Sequence, residues 1–290
     1  MNPLVQQVEA KLQELATETD AVRKSAQFQQ YLDAMAKFHD YSLHNQLLIF
    51  FRMPTASRVA GFKAWQELGR KIKKGSKAIQ ILAPRIRVEK KDGKEEEVIC
   101  NFAQRNNDFS GKQMCTEEHI SFFPVSVFDI SQTEGEELPE LDVALQGNDQ
   151  QKLLKALEEF CEVRNIKLDF KELGVNGLYG YSQGGRVVVS SKDSVNMQVN
   201  TLVHEIAHEL LHHPSTLSKQ QKEIQAESVA YVVCKHFGLE TKSFTYLALQ
   251  EADSKQIMEN LEAISLACKE IINFLFSFQK SMVYTHSEKP

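Results

Sequence analysis

The stretch from Ser194 to His213, SVNMQVNTLVHEIAHELLHH, constrains this chain more than any other. Val199, Leu202, Val203, Ile206, Ala207, Leu210 and Leu211 recur at helical spacing and form a broad apolar face, which predicts a largely buried helix. His204, Glu205 and His208 stand inside that pattern. Ionisable groups buried among aliphatic side chains are costly unless they are paired or bound to an ion. Residues four apart lie one turn apart on the same side, so His204 and His208 can reach one ion, the HExxH arrangement of a zinc site. Zinc accepts two imidazoles and a third protein ligand and keeps a fourth position open. Glu205 then stands beside that open position as the candidate catalytic carboxylate. It is placed to take a proton from a water attacking a peptide carbonyl and to pass it to the leaving amine. The expectation is a metallopeptidase holding one Zn2+ per chain.

Three downstream acids compete for the third ligand position. Glu209 follows His208 directly and points off the ligand face. Glu223 lies in the polar run SKQQKE, where a solvated carboxylate needs no explanation. Glu227 sits within AESVAYVVC, a run expected to be buried, where a carboxylate calls for a metal or a basic partner, so Glu227 is the expected ligand. His212 repeats the four-residue step and either supports the site from behind or meets the helix dipole at the last turn. Tyr231, one turn beyond Glu227, is a candidate oxyanion donor or a core tyrosine. The continuation HxxGxxH is absent, since Glu-Leu-Leu follows His208.

The chain is 290 residues long, enough for two compact units. Helical spacing covers residues 4–18 and about 25–52, and a short helix is expected from Gly61 to Leu68. AIQILAPRIRVEKK alternates as a strand and leads through the turn Lys91–Lys94 into EEVICNF; ISFFPVSVFDI adds a further strand. The first half therefore reads as helices followed by an antiparallel meander. An acidic stretch with Gly135, Pro139 and Gly147 then reads as a linker. Beyond it come a helix from about Gln151 to Arg164, a strand pair GLYGYS and RVVVSS, and helices nearly to the end. The expected fold class is α+β. A helical and antiparallel-sheet domain spans 1–132, an acidic linker 133–150, and a mostly helical zincin-like domain with a small β-sheet spans 151–290.

Five scattered cysteines without a CxxC pair argue against a disulfide framework and a thiolate metal site, with Cys234 and Cys268 expected in the core. IINFLF is too short to span a bilayer, and MNPLVQQVEAKLQEL lacks the apolar core of a secretory signal, so no membrane and a cytoplasmic location are expected. The formal net charge of −5 conceals an opposite region. Arg58, Lys63, Arg70, Lys71, Lys73, Lys74 and Lys77 face only Glu67 within residues 58–77, a local net of +6. Phe62 and Trp65 interleave with these bases, a composition suited to phosphates and unpaired bases, or else to a solvated helix with both aromatics in its core.

LVHEIAHELLHH followed by IQAESVAYVVCKHFGL resembles the ImmA/IrrE type of zinc peptidase domain, in which a glutamate at the Glu227 position completes the site. YSLHNQLLIFFRMPTASRVAGFKAWQELGRKIKKGSKAIQILAP and VFDISQTEG resemble the N-terminal domain of ArdC-type antirestriction proteins, which bind single-stranded DNA. The resemblance implies a protein of mobile genetic elements or their hosts, with single-stranded DNA and an unidentified protein substrate as partners. Its role would be antirestriction or DNA-triggered regulation. The alternative is a DNA-binding antirestriction protein whose zinc site is structural or non-proteolytic.

Overall fold

The computed structural model describes residues 2–89, 95–99, 118–137, 150–175, 177–239 and 252–286. Two compact units emerge: Met1–Val8 with Leu47–Leu138, and Glu9–Gln46 with Pro139–Pro290. Their boundaries fall inside helices α1 (Pro3–Thr17) and α3 (Leu43–Arg52). The continuous helix expected over residues 25–52 is two helices, α2 (Ala21–Phe38) and α3. Asp20 caps α2 by accepting from the Val22 and Arg23 amides, and a turn closed by the Tyr41 amide on Phe38 O ends it.

In the first unit β1 (Val59–Gly61), α4 (Phe62–Glu67), β2 (Arg70–Ile72), β3 (Ile79–Glu89), β4 (Glu95–Ile99), β5 (Glu118–Asp129) and β6 (Thr133–Gly135) follow in order. An antiparallel sheet runs β1-β5-β3-β4, and β2 pairs with β6. The β3–β4 register runs from Arg85↔Ile99 to Glu89↔Glu95; the turn expected at Lys91–Lys94 lies outside the described residues. Strand β6 occupies the start of the stretch expected to be linker, of which residues 138–149 are likewise outside. Alternation along β5 turns Val127 inward to a core with Trp65, Ile79 and Ile81, and leaves Phe122, Pro124 and Ser126 exposed. Asp129 ends β5 buried, accepting from the amides of Ser57, Arg58 and Ser131. Burial opposes its charge, but these bonds and that from the Ser131 hydroxyl prevail and hold its carboxyl below the ordinary range.

The second unit contains α5 (Gln150–Val163), β7 (Lys167–Lys171), β8 (Gly180–Ser182), β9 (Arg186–Ser190), α6 (Val195–Leu211), α7 (Lys219–His236) and α8 (Ser254–His286), with α2 among them. Its sheet has the order β7-β9-β8: β7 parallel to the central β9, and β8 antiparallel at the edge. Val187, Val188 and Val189 are fully buried on β9, the central strand, which packs against α6. Cys161, Cys234 and Cys268 are free and buried. Among the described residues no helix is long and apolar enough to cross a membrane.

Candidate metal centre

Helix α6 starts at Ser194, whose hydroxyl accepts from the Met197 amide, and α7 starts at a capping box in which Ser218 and Gln221 serve each other's backbone. The two helices pack together, and three side chains meet where they do. His204 Nε2 lies 3.0 Å from His208 Nε2. Glu223 presents Oε2 at 3.5 Å from His204 Nε2 and Oε1 at 3.8 Å from His208 Nε2. These three form the group of His, Cys, Asp and Glu side chains, among the described residues, whose candidate ligand atoms all lie within 4.8 Å of one another.

Glu223 is the carboxylate that lies in this cluster, whereas Glu227, the expected ligand, lies outside it. The two glutamates are one turn apart on α7, and it is the turn carrying Glu223, nearer the start of that helix, that meets the imidazoles. Apolarity around Glu227 shows which face of α7 enters the core; it carries no information about which turn passes the histidines. Burial pushes the Glu227 carboxyl up, against the pull of His204. The His204 and then the His208 rings beside it hold the Glu223 carboxyl far below the ordinary carboxylate range. Burial works against charge on His204, but Glu223, Glu205 and Glu227 outweigh it, so its pKa is raised.

Glu205 is 7% exposed, and burial raises its carboxyl pKa although His204 and His208 pull the other way. A carboxylate made more basic in this way is suited to accept a proton. The edge strand β8 presses on the same turn of α6. A β-carbon at Gly180 would lie 2.6 Å from Thr201 Cγ2, 2.9 Å from Val188 O and 3.4 Å from Glu205 Cγ, so only glycine permits this approach. Glu209 points off the ligand face and accepts from the Gly184 and Gly185 amides at 3.0 and 2.5 Å, tying the β8–β9 turn to α6.

Tyr231 is not aimed at the cluster as an oxyanion donor. Its hydroxyl donates to Asp33 Oδ1 on α2 at 2.7 Å, and Lys235 Nζ lies 2.6 Å from Asp33 and 2.7 Å from Tyr231 Oη. His212 is buried at the end of α6 with its two ring nitrogens facing His208 and Gln225; burial lowers its pKa to about 4. Gln225 and Asn260 escaped sequence reasoning, although an amide inside an apolar helical run is a signal that it has a partner there.

The donor set fits a divalent ion. A tetrahedral ion with ligands at about 2.0–2.1 Å separates its donor atoms by about 3.3–3.4 Å. The separations of 3.0 Å between the two Nε2 atoms and 3.5 Å between His204 Nε2 and Glu223 Oε2 lie on either side of that value.

The basic segment is partly committed elsewhere in the first unit. Trp65 is 2% exposed and donates from Nε1 to Phe128 O at 2.9 Å, so it is a core residue and not a stacking platform. Arg70 donates to Thr133 and to the carbonyls of Gly135 and Glu136, Lys73 donates to Ser131 O, and Lys71 sits opposite Glu134 in the β2–β6 pair. Arg58 is half-buried, whereas Lys63, Lys71, Lys74 and Lys77 are exposed. Phe62, beside Lys63 at the start of α4, is 53% exposed.

Comparison with known families agrees with both halves. Residues 1–117 match the N-terminal domain of anti-restriction factor ArdC, and residues 161–264 match the peptidase M78 family, described as an IrrE N-terminal-like domain. The chain is thus similar to the ArdC N-terminal domain over its first part and to an M78 peptidase-like domain over its second. The ArdC match includes α2, which packs in the same compact unit as α6 and α7. An uncharacterized protein of Bacillus anthracis is 27% identical over 283 residues, covering 88% of this chain; the chain spans about half, 48%, of that relative's length. Two crystal structures of the antirestriction protein ArdC from plasmid R388 are similar. The metal-free form is 16% identical with a TM-score of 0.47, covering 82% of this chain and 86% of that one. The Mn(II)-bound form is 14% identical with a TM-score of 0.46, covering 84% and 97%.

Proposed function

We propose that this ArdC–M78 chain is a cytoplasmic, divalent-metal-dependent peptidase, with zinc as the expected metal, coupled to a single-stranded DNA-binding domain. The observation that carries it is the convergence of His204, His208 and Glu223 beside a buried, basic Glu205. His204 and His208 would hold the ion through Nε2, and Glu223 through a carboxylate oxygen. The bound ion would polarise a peptide carbonyl and acidify water. Glu205 takes the proton from the attacking water and delivers it to the departing amine, with its apolar surroundings keeping the carboxylate basic enough to do so. The edge strand β8, held against the Glu205 turn through Gly180, walls the site on one side.

Exposed Phe62 and Lys63, with Lys71, Lys74 and Lys77, support contact with a single strand through base stacking and phosphate neutralisation. The ArdC match points to a role in antirestriction. Metal content and cleavage of a fluorogenic peptide library, with and without an oligothymidine, test the peptidase. Glu223→Ala should lose the metal and Glu227→Ala should keep it, while Glu205→Gln keeps the metal and loses cleavage. Undiminished cleavage by Glu205→Gln would remove the peptidase mechanism. Full protection of DNA from restriction by that same variant would favour an antirestriction protein whose metal site is non-proteolytic.

A further inference from the structure

From His208 a run of buried side chains leads away from the metal centre, through α6, α7 and α8, to a backbone carbonyl. His208 Nδ1 lies 2.8 Å from His212 Nδ1, and His212 Nε2 lies 3.0 Å from Gln225 Oε1. Gln225 Nε2 donates to Asn260 Oδ1 at 2.7 Å, and Asn260 Nδ2 donates to Gln256 O at 2.8 Å. His212, Gln225 and Asn260 are 3%, 4% and 6% exposed, so water competes little for any of these bonds.

The far end gives the run its direction. A backbone carbonyl can only accept, so the Asn260 atom facing Gln256 O must be the amide nitrogen; the reversed group would set two carbonyl oxygens 2.8 Å apart. Asn260 therefore offers Oδ1 to Gln225, which must answer with Nε2–H and turn Oε1 toward His212. His212 donates from Nε2. Neither of its partners is a carboxylate that would hold an imidazolium, and a neutral ring that donates from Nε2 has a bare Nδ1. The short contact to His208 then places the hydrogen on His208 Nδ1. His208 is left with its lone pair on Nε2, the atom that faces His204 and Glu223.

We propose that Asn260, acting through Gln225 and His212, sets His208 as its Nδ1–H tautomer and so keeps Nε2 ready to ligate a divalent cation; this rests on the metal-site reading above. Asn260 and Gln225 are positioning residues: they touch neither ion nor substrate. Partners of this kind behind a ligating histidine contribute about 10–100-fold to metal affinity.

The test uses the full chain, stripped of metal, with 15N-labelled histidine. Long-range proton–nitrogen spectra at neutral pH should show His208 protonated at Nδ1 and His212 at Nε2. Asn260→Asp, whose buried carboxyl when protonated can donate to Gln256 O and still accept from Gln225, should preserve both tautomers, with Zn2+ affinity, measured by competition with a colorimetric chelator, within a few-fold of the parent. Asn260→Leu and Gln225→Leu should mix the tautomers and weaken Zn2+ binding about 10–100-fold. A parent protein with His208 protonated on Nε2 overturns the proposal and leaves the metal site standing. So do leucine variants that remain folded and keep both the parental tautomers and the parental affinity. A parent that takes up neither zinc nor manganese overturns the metal-site reading instead, and the ring spectra still decide the tautomer.

Discussion

Replacing His39 with leucine should remove much of the acid sensitivity of the second unit. His39 caps α2 and is 9% exposed, with its ring 4.6 Å from that of His236 and stacked on Phe276 at 6.1 Å. Its Nδ1 and the Nε2 of His236 are buried without a hydrogen-bond partner. Burial first, then His236 and Lys269, push the His39 pKa from 6.5 down to about 4; Asp40 opposes them from 3.5 Å, but its side chain is 66% exposed and its charge well screened. The folded state therefore holds His39 neutral while the unfolded chain protonates it near pH 6.5. Below that pH the unfolded state binds more protons, so stability is whole above pH 6.5 and is lost as pH falls towards 4. Linkage puts the loss at about 2 kcal/mol by pH 5 and about 3 kcal/mol below pH 4. Guanidinium unfolding followed by circular dichroism at pH 7.5 and pH 5 measures it, each protein compared with itself so that the constant effect of the substitution cancels. The single tryptophan, Trp65, belongs to the other unit, and its fluorescence is an internal control. The reasoning fails if His39→Leu loses as much stability between the two pH values as the parent does.

Phe62→Ala should weaken binding of a labelled oligothymidine by about 5–150-fold, the equivalent of one stacked base, whereas folded Trp65→Phe should leave affinity unchanged; fluorescence anisotropy reads both. Lys74→Ala with Lys77→Ala should flatten the salt dependence of that binding, and an unchanged slope would take these lysines out of the contact. Gly180→Ala should cost about 1–3 kcal/mol in thermal unfolding, because its β-carbon would meet Thr201 Cγ2 at 2.6 Å and Val188 O at 2.9 Å. Adding Thr201→Ser removes the first clash and should restore part of that loss; an unaltered melting temperature in Gly180→Ala would show that the strand is free to retreat.

Periodicity carried most of the elements, because a buried helix face and a half-buried strand each impose a spacing on apolar residues. It did not reveal β7, Lys167–Lys171, a largely exposed edge strand with two apolar residues, organised by pairing with β9 and by the Arg186–Asp169 bond. Nor did it reveal the break between α2 and α3, since apolar spacing resumes across a turn as short as His39–Ser42.

The sequence by itself determined the α+β class, the helix that presents His204, Glu205 and His208 together, and the basic stretch beginning at Arg58, because all of these depend on neighbours along the chain. Tertiary structure alone decided that Glu223 and not Glu227 meets the imidazoles, that Trp65 is core while Phe62 is exposed, and that Asn260 is linked to His208. Each of these turns on the offset between elements distant in sequence. One helical turn advances a chain by about 5.4 Å, more than the separation of any two ligand atoms in this centre, so a single turn of relative placement decides which carboxylate takes part.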